Sequence, residues 1–274
     1  MLHASDLNDE GVSHMGQGEY ETAIEFFDKA LEINPTLIAA WSNRGLALSN
    51  RGRYDEAVAS FDRALEIKPE YLQALEGKGV ALSLLGRHEE AIKVFDKAID
   101  IDPVFEPPWS GKGAELHQLG RYEEALQCLN RALELDPEDE AALTAKGIVL
   151  SDLGRYEEAL NLYDKAIEQS ASYDKVWKEK ARTQQKLGRY DEALGSYDRA
   201  IDLDPRYPAA WEQKGNILYQ MGRYEEALHC FDRVTELEPL NKQAWRKKIE
   251  ILKALGRNEE AREAMVTSER YACG

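Results

Sequence analysis

Hydrophobic and small residues recur along this chain with a period of 34 residues, without insertion or deletion. Within one period, 38–71, Trp41, Gly45 and Leu48 follow the spacing i, i+4 and i+7, which places them on one face of a helix. A second set of apolar residues with helical spacing lies within 55–67. The pattern therefore predicts eight pairs of amphipathic helices, with periods that start at residues 4, 38, 72, 106, 140, 174, 208 and 242. Below, a place is a position counted from the start of its period.

Turn-forming residues separate the predicted helices at fixed places. A glycine stands at place 15 of every period, and we expect it to end the first helix in a left-handed conformation. These are Gly18, Gly52, Gly86, Gly120, Gly154, Gly188, Gly222 and Gly256. Acidic residues open most second helices, where they suit the helix dipole, and a proline usually follows the second helix.

Two further rows of residues keep the same period. All five tryptophans stand at place 4 (Trp41, Trp109, Trp177, Trp211, Trp245), which predicts that they belong to the core. Lys or Arg occupies place 7 from the second period onward, and Asp occupies place 25 in six periods. We interpret these two rows as a ladder of surface ion pairs, each worth about 0–1 kcal/mol.

These residues resemble the tetratricopeptide repeat family over nearly the whole chain. The family pattern is seen, for example, in Trp211, Gly215, Leu218, Gly222, Tyr224, Ala227 and Phe231. The resemblance implies an all-α fold, a right-handed superhelical solenoid of eight 34-residue helix-turn-helix repeats. It also implies that the first helices line a concave groove. A stacked array of this kind offers an extended surface, which favours a non-enzymatic protein-protein interaction scaffold or adaptor.

We expect one solenoid over residues 4–274, because the period is kept throughout. Repeat 5 lacks the usual proline, so the segment 170–173 is predicted to be a softer joint or a change of superhelical pitch. Repeat 8 has Ile249 in place of the packing glycine, and its second helix carries the apolar residues Met265 and Val266. An alternative function is therefore a self-assembling array that forms homo-oligomers through its end repeats.

Composition excludes several other classes. The net charge of −16 and the pI of about 4.9 disfavour nucleic acid as a partner. No apolar run is long enough to span a membrane, and the N-terminal residues do not form a signal peptide, so we expect a cytoplasmic protein. Cys128, Cys230 and Cys273 have neither metal-binding nor disulfide spacing, and no nucleotide-binding, hydrolase or metalloprotease motif is present. No enzyme activity, metal or cofactor is predicted.

The distribution of charge gives the sharpest functional hypothesis. The first helices of repeats 1–5 together carry −3, whereas those of repeats 6–8 carry +7. We therefore predict that the C-terminal groove binds an acidic or C-terminal carboxylate segment of a protein or peptide. The candidate residues there are Lys175, Lys178, Arg182, Asn216, Arg246 and Lys247.

In relatives that clamp a C-terminal carboxylate, two asparagines take part in the clamp. The corresponding places here hold Arg182 and Gln213, which favours a general acceptor of acidic segments. The groove of repeats 2–5 is small and neutral by contrast, with the candidates Asn43, Leu46, Ser49, Val80 and Ser83. It would accept an apolar helix or strand, or it is unoccupied background surface.

Overall fold

A computed structural model of the chain describes residues 3–170 and 174–273, and every regular element in these ranges is an α-helix. Each period contributes a first helix and a second helix, as the sequence predicts. The helices are α1 (Ala4–Gly16), α2 (Tyr20–Ile33), α3 (Ile38–Asn50), α4 (Tyr54–Ile67), α5 (Leu72–Leu84), α6 (His88–Ile101), α7 (Pro107–Gln118), α8 (Tyr122–Leu135), α9 (Glu140–Asp152), α10 (Tyr156–Gln169), α11 (Asp174–Lys186), α12 (Tyr190–Leu203), α13 (Pro208–Gln220), α14 (Tyr224–Leu237), α15 (Lys242–Ala254) and α16 (Asn258–Cys273). None of these helices is long and apolar enough to cross a membrane.

The glycine at place 15 ends the first helix of each repeat, as predicted. All eight of these glycines have a positive φ, between 71° and 78°. Side chains with a Cβ atom rarely adopt this conformation, which explains why no other residue occupies the place. The chain then enters the second helix, whose first turn carries an acidic residue in most repeats, for example Asp55 and Glu56 in α4.

The two helices of a repeat approach closely because a glycine at place 8 faces a large residue at place 24. A Cβ atom added at Gly45 would lie 2.7 Å from Cε1 of Phe61, so no larger residue fits without movement. The residues at place 24 are at most 2% exposed in seven repeats, and they form the centre of the core: Phe27, Phe61, Phe95, Leu129, Tyr163, Tyr197 and Phe231.

The prediction that the tryptophans belong to the core is confirmed for Trp245, while Trp41 and Trp211 pack against core clusters from their edge. Only Trp245 is buried, and the other four rings are partly exposed. The indole Nε1 of Trp41 donates a hydrogen bond to the carbonyl oxygen of Pro35, at 2.9 Å. Trp109, Trp211 and Trp245 make the same bond to the proline six residues earlier. The need to satisfy this N–H holds the ring at the edge of the core.

The described residues fall into two compact units. Unit 1 is Met1–Val149 and unit 2 is Leu150–Gly274. A single solenoid over 4–274 stays a prediction, and residues 171–173 of the predicted joint lie outside the described residues.

Within unit 1, successive first helices pack against one another: α1 against α3, α3 against α5, and α5 against α7. Glycines at place 6 let α5 and α7 approach the second helix of the preceding repeat: a Cβ atom at Gly77 would lie 2.5 Å from the ring of Phe61, and one at Gly111 would lie 2.6 Å from the ring of Phe95. Within unit 2 the same place holds the longer side chains of Glu179, Gln213 and Lys247.

Candidate functional site

The predicted ladder of ion pairs is confirmed in six repeats, where it links the repeat to the one before it; repeat 4 has Asn130 at the acidic place. The basic residue at place 7 of a first helix contacts the aspartate at place 25 of the preceding second helix. The pairs are Arg44–Asp28 (2.7 Å), Lys78–Asp62 (2.6 Å), Lys112–Asp96 (2.5 Å), Lys180–Asp164 (2.5 Å), Lys214–Asp198 and Lys248–Asp232 (2.8 Å). These cations are engaged between helices, so they are not candidates for partner binding.

Lys178, a predicted binding residue of unit 2, is engaged within the chain. Its Nζ lies 2.6 Å from Oδ2 of Asp174, one turn earlier on α11. The same Nζ lies 3.8 Å from the centre of the Tyr207 ring, where a cation–π interaction stabilises it. This predicted binding residue is therefore already held by an acidic neighbour.

Arg182 and Lys247 likewise have acidic neighbours. Arg182 lies 3.5 Å from Glu179 and 3.7 Å from Asp152, and Asp152 also accepts from Lys186 at 2.9 Å. The sequence could have predicted the pair of Arg182 with Glu179, because Glu179 precedes Arg182 by three residues on the same helix.

Lys247 bridges two first helices of unit 2. It lies 3.0 Å from Glu250 and 4.4 Å from the centre of the Tyr219 ring. The hydroxyl of Tyr219 in turn donates to Glu250 at 2.6 Å, and this bond lowers the pKa of Glu250. α13 and α15 are thus joined by a polar contact that uses the cation of Lys247.

Lys175 and Arg246 differ from these residues. Both side chains are exposed, and neither makes an ion pair with any described residue. Asn216 is half-buried on α13, and no hydrogen bond among the described residues joins it to Lys175 or Arg246. Two cations of the predicted site therefore remain available to a ligand, while three are already held by acidic neighbours.

The predicted groove residues of unit 1 divide into apolar and hydrogen-bonded groups. Leu46 and Val80 are exposed. Asn43 donates to Oδ1 of Asn8 at 3.0 Å, and Ser83 donates to Oε1 of Glu115 at 2.5 Å. The hydroxyl of Ser49 is buried and has no hydrogen-bond partner among the described residues.

The bond from Ser83 belongs to a buried polar cluster that the sequence analysis did not identify. The carboxylate of Glu115 is 4% exposed, and its Oε2 lies 2.6 Å from Nδ1 of His88. Six repeats have Tyr at the place of His88, and the residue 27 positions later is never acidic in those repeats, being Ala81 after Tyr54, for example. The joint departure at two places that contact each other could have identified the pair.

This cluster does not have the arrangement of a nucleophilic site. Glu115 lies between Ser83 and His88, so the serine hydroxyl donates to the carboxylate and makes no hydrogen bond to the imidazole, unlike a Ser-His-acid triad. Burial raises the pKa of the Cys128 thiol and raises that of Cys230 to about 11, which makes both thiols unreactive at neutral pH. Among the described residues, no group of His, Cys, Asp and Glu is arranged to hold a metal ion.

A pair of carboxyl groups lies at the start of α7 in unit 1. Glu106, next to the first residue of α7, is within hydrogen-bonding reach of Asp139, while its buried Oε1 has no hydrogen-bond donor in the part of the chain that the structure describes. Asp139 accepts hydrogen bonds from the backbone N–H groups of Ala141 and Ala142. Burial, together with the charge of Asp139, raises the pKa of Glu106 to about 7.

Comparison with known proteins agrees with this geometry. Family models described as tetratricopeptide repeat match residues 42–104 and 212–266, 5–37 and 108–139, and 128–161, and one described as TPR repeat matches 184–222. An uncharacterized protein of Methanocaldococcus jannaschii is 47% identical over 38 residues, which is 14% of this chain and 44% of that relative's length.

Two solved structures share the fold at low identity. A tetratricopeptide repeat protein from Parabacteroides merdae has a TM-score of 0.71 at 18% identity, covering 90% of this chain and 98% of its own. The structure of the APC/C hetero-tetramer Cut9-Hcn1 has a TM-score of 0.79 at 17% identity, covering 91% of this chain and 48% of that chain. With the 34-residue period, the glycine turns and the matching family models, the chain belongs to the tetratricopeptide repeat family.

Proposed function

We propose that this protein is a non-enzymatic scaffold that binds an acidic segment of a partner protein on the first helices of unit 2. The binding surface consists of Lys175, Lys178, Arg182, Arg246 and Lys247, and is called the basic wall below. The observation that carries the proposal is that Lys175 and Arg246 are exposed cations without an ion-pair partner among the described residues. In a chain of net charge −16, such cations are expected to attract carboxylates.

The held cations have a second role in this proposal. Lys178 lies on Tyr207 and Lys247 on Tyr219, so their ammonium groups are fixed in position. A carboxylate of the partner would compete with Asp174 or Glu250 for them, which yields weak and salt-sensitive binding. Specificity would then come mainly from Lys175 and Arg246.

The test uses a fluorescein-labelled 12-residue peptide rich in Glu and Asp, with the full chain and fluorescence anisotropy. The double variant Lys175→Glu, Arg246→Glu is expected to weaken binding about tenfold or more, because it replaces two attractions by repulsions. Lys165→Glu is the matched control, since Lys165 is an exposed lysine on a second helix of the same unit. A peptide with a C-terminal amide separates recognition of acidic side chains from recognition of the terminal carboxylate.

Reversing Lys178 is less informative, since it would also remove the contact with Asp174 and Tyr207 and so disturb α11. Circular dichroism should show unchanged helical content for the exposed-site variants. If the double variant and the Lys165 control bind the acidic peptide as well as the unaltered chain does, the basic wall is not the binding surface.

A further inference from the structure

An apolar stripe crosses the first helices of unit 1. Val12, Leu46 and Val80 share place 9 on α1, α3 and α5, and their side chains are 40%, 36% and 44% exposed. Because these three helices pack against one another in order, the stripe is continuous across consecutive repeats. Leu84, one turn after Val80, extends it and is also exposed. Contiguous apolar surface of this kind marks interaction sites more often than scattered single residues do.

The charges around the stripe have one sign. The groove places of the first helices in unit 1 (places 2, 5, 6, 9, 12 and 13) contain no Lys or Arg, and their charged residues are Asp9 and Glu76. Glu76 shares a helix face with Val80, four residues later, and makes no ion pair with any described residue. It is half-buried, and burial raises its pKa.

Glu106 adds a second uncompensated carboxyl group close to Glu76. The two are near enough for the charge of Glu76 to contribute to the raised pKa of Glu106. The Oε1 atom of Glu106 has no hydrogen-bond partner among the described residues, and neither Glu106 nor Glu76 makes an ion pair with any of them. Uncompensated carboxylates beside apolar surface are costly, and a cation placed there would remove much of that cost.

The polar groups beside the stripe do not suit an extended peptide. Asn43 is bonded to Asn8, and Ser83 is bonded to Glu115. Neighbouring groove places are small and apolar, such as Ala39, Gly77 and Gly111. An extended backbone would find few partners for its N–H and C=O groups, whereas a helix satisfies its own.

We propose that the groove of unit 1 binds an amphipathic helix of a partner protein, with apolar residues on the stripe and a Lys or Arg at Glu76 and Glu106. Packed helices lie about 8–10 Å apart, so a stripe across three helices is about 20 Å long and suits about four helical turns. This goes beyond the binding of acidic segments, because it concerns the other unit and a ligand of opposite charge.

The experiment compares three 18-residue synthetic peptides for binding to the full chain by fluorescence anisotropy. The first has Leu at i, i+3, i+4 and i+7 with flanking Lys; the second has Glu in place of every Lys. The third is a scramble with the same composition whose Leu residues no longer share a face, and it measures non-specific attraction to an acidic protein. We expect the first to bind about tenfold more tightly than either of the others.

Three variants locate the site. Val80→Asn removes an apolar group from the exposed stripe, and Glu76→Gln removes the charge with little change in shape; each is expected to weaken binding of the first peptide about fivefold to tenfold. Glu123→Gln is the matched control, since it removes an equal charge from an exposed place on a second helix of unit 1 and should change nothing.

The proposal is overturned if the three peptides bind equally, if the first shows no binding at about millimolar concentration, or if Val80→Asn and Glu76→Gln bind like Glu123→Gln. The acidic peptide and the double variant Lys175→Glu, Arg246→Glu test the basic wall separately. The failure of one proposal can therefore be distinguished from the failure of the other.

Discussion

At the scale of single residues, the contact between place 8 and place 24 sets how closely two helices approach. Gly45 lies against the ring of Phe61, while Gly195, inside α12, has no atom within 4 Å of the position of an added Cβ. Two chemically identical substitutions therefore meet opposite surroundings.

Gly45→Ala is expected to destabilise the protein by about 1–3 kcal/mol, because the added methyl group forces the ring of Phe61 to move. Gly195→Ala is expected to stabilise it by about 0.5–1 kcal/mol, since alanine favours a helix. Urea unfolding followed by circular dichroism measures both. Equal shifts of the two variants would show that the place 8 contact is not tight.

The His88–Glu115 pair allows a second test at this scale. His88→Tyr restores the residue found in most repeats but leaves the carboxylate of Glu115 buried without its imidazole partner, which should cost about 1–3 kcal/mol. The double variant His88→Tyr, Glu115→Ala recreates the Tyr54 and Ala81 arrangement of the neighbouring repeats and should recover most of the loss. A double-mutant cycle with no coupling between the two sites would contradict this.

At the scale of helices, α16 packs differently from the other second helices. Met265 stands at place 24, where the other repeats have a residue that is at most 2% exposed, yet Met265 is 44% exposed. Ile249 occupies the place of the packing glycine on α15 and fills the space that an aromatic ring takes elsewhere. A cleft of about 670 Å³ lies between α14, α15 and α16.

We expect the double variant Ile249→Gly, Met265→Phe to bring α16 into the usual arrangement. Ile249→Gly alone should destabilise the last repeat, and Met265→Phe alone should leave its ring exposed and give no gain. The free energy of unfolding of the double variant should exceed the value expected from adding the two single effects by about 1–2 kcal/mol. Amide hydrogen exchange over 258–271 checks this, and an additive result would mean that Ile249 does not exclude the ring.

The carboxyl pair of Glu106 and Asp139 gives a prediction of pH dependence. The pKa of Glu106 is raised from 4.5 to about 7, so the folded chain binds this proton over an interval in which the unfolded chain has released it. The contribution of Glu106 to the free energy of unfolding therefore falls as the pH rises from about 4.5 to 7, and it is lowest above pH 7.

Glu106→Gln cannot ionise, so it should raise the melting temperature by about 2–4 °C at pH 8 and change it little at pH 4.5. Differential scanning calorimetry at both pH values measures this, with Glu123→Gln as the exposed control. A variant that is equally stabilised at both pH values would indicate an effect unrelated to ionisation.

At the scale of the whole molecule, the acidic residues are concentrated outside the first helices, and the net charge is −16. Salt weakens both the ladder pairs and the repulsion between like charges, but the repulsion is larger in a chain so far from neutrality. Raising NaCl from about 10 to 150 mM is therefore expected to raise the melting temperature. A lower melting temperature in salt would show that the ion pairs dominate.

Self-assembly through the end repeats stays a prediction, but the ladder disfavours head-to-tail stacking of two copies. The first repeat has Glu10 at the basic place of the ladder, and the last has Val266 at the acidic place. Glu10 has the opposite charge to the Lys or Arg found there in the other repeats, and Val266 has no charge. A contact between the two ends would therefore lack the ion pair that joins neighbouring repeats.

Sequence periodicity was sufficient to predict the helix pairs, the glycine turns and the ladder, because each depends on spacing within one or two repeats. It was not sufficient for the site. Lys178 and Asp174 form an i, i+4 pair on α11, which the net charge of the helix concealed. The contact of Lys178 with Tyr207, in the turn before α13, depends on tertiary packing and cannot be derived from spacing. The partial exposure of the Trp41 indole was not predicted either, since its bond to the Pro35 carbonyl depends on the turn geometry.

The ladder has a consequence for how this chain can change in length. Each pair takes its aspartate from one repeat and its cation from the next, as in Lys78–Asp62 and Lys112–Asp96. Deletion or duplication of one whole period within a unit would place the aspartate of one repeat beside an equivalent cation of another repeat. The ion pair at the new boundary would therefore be kept. Deletion of any other number of residues would shift the period, and the aspartate and the cation at that boundary would no longer face each other. Repeat number is therefore a quantity that evolution can alter without inventing a new interface.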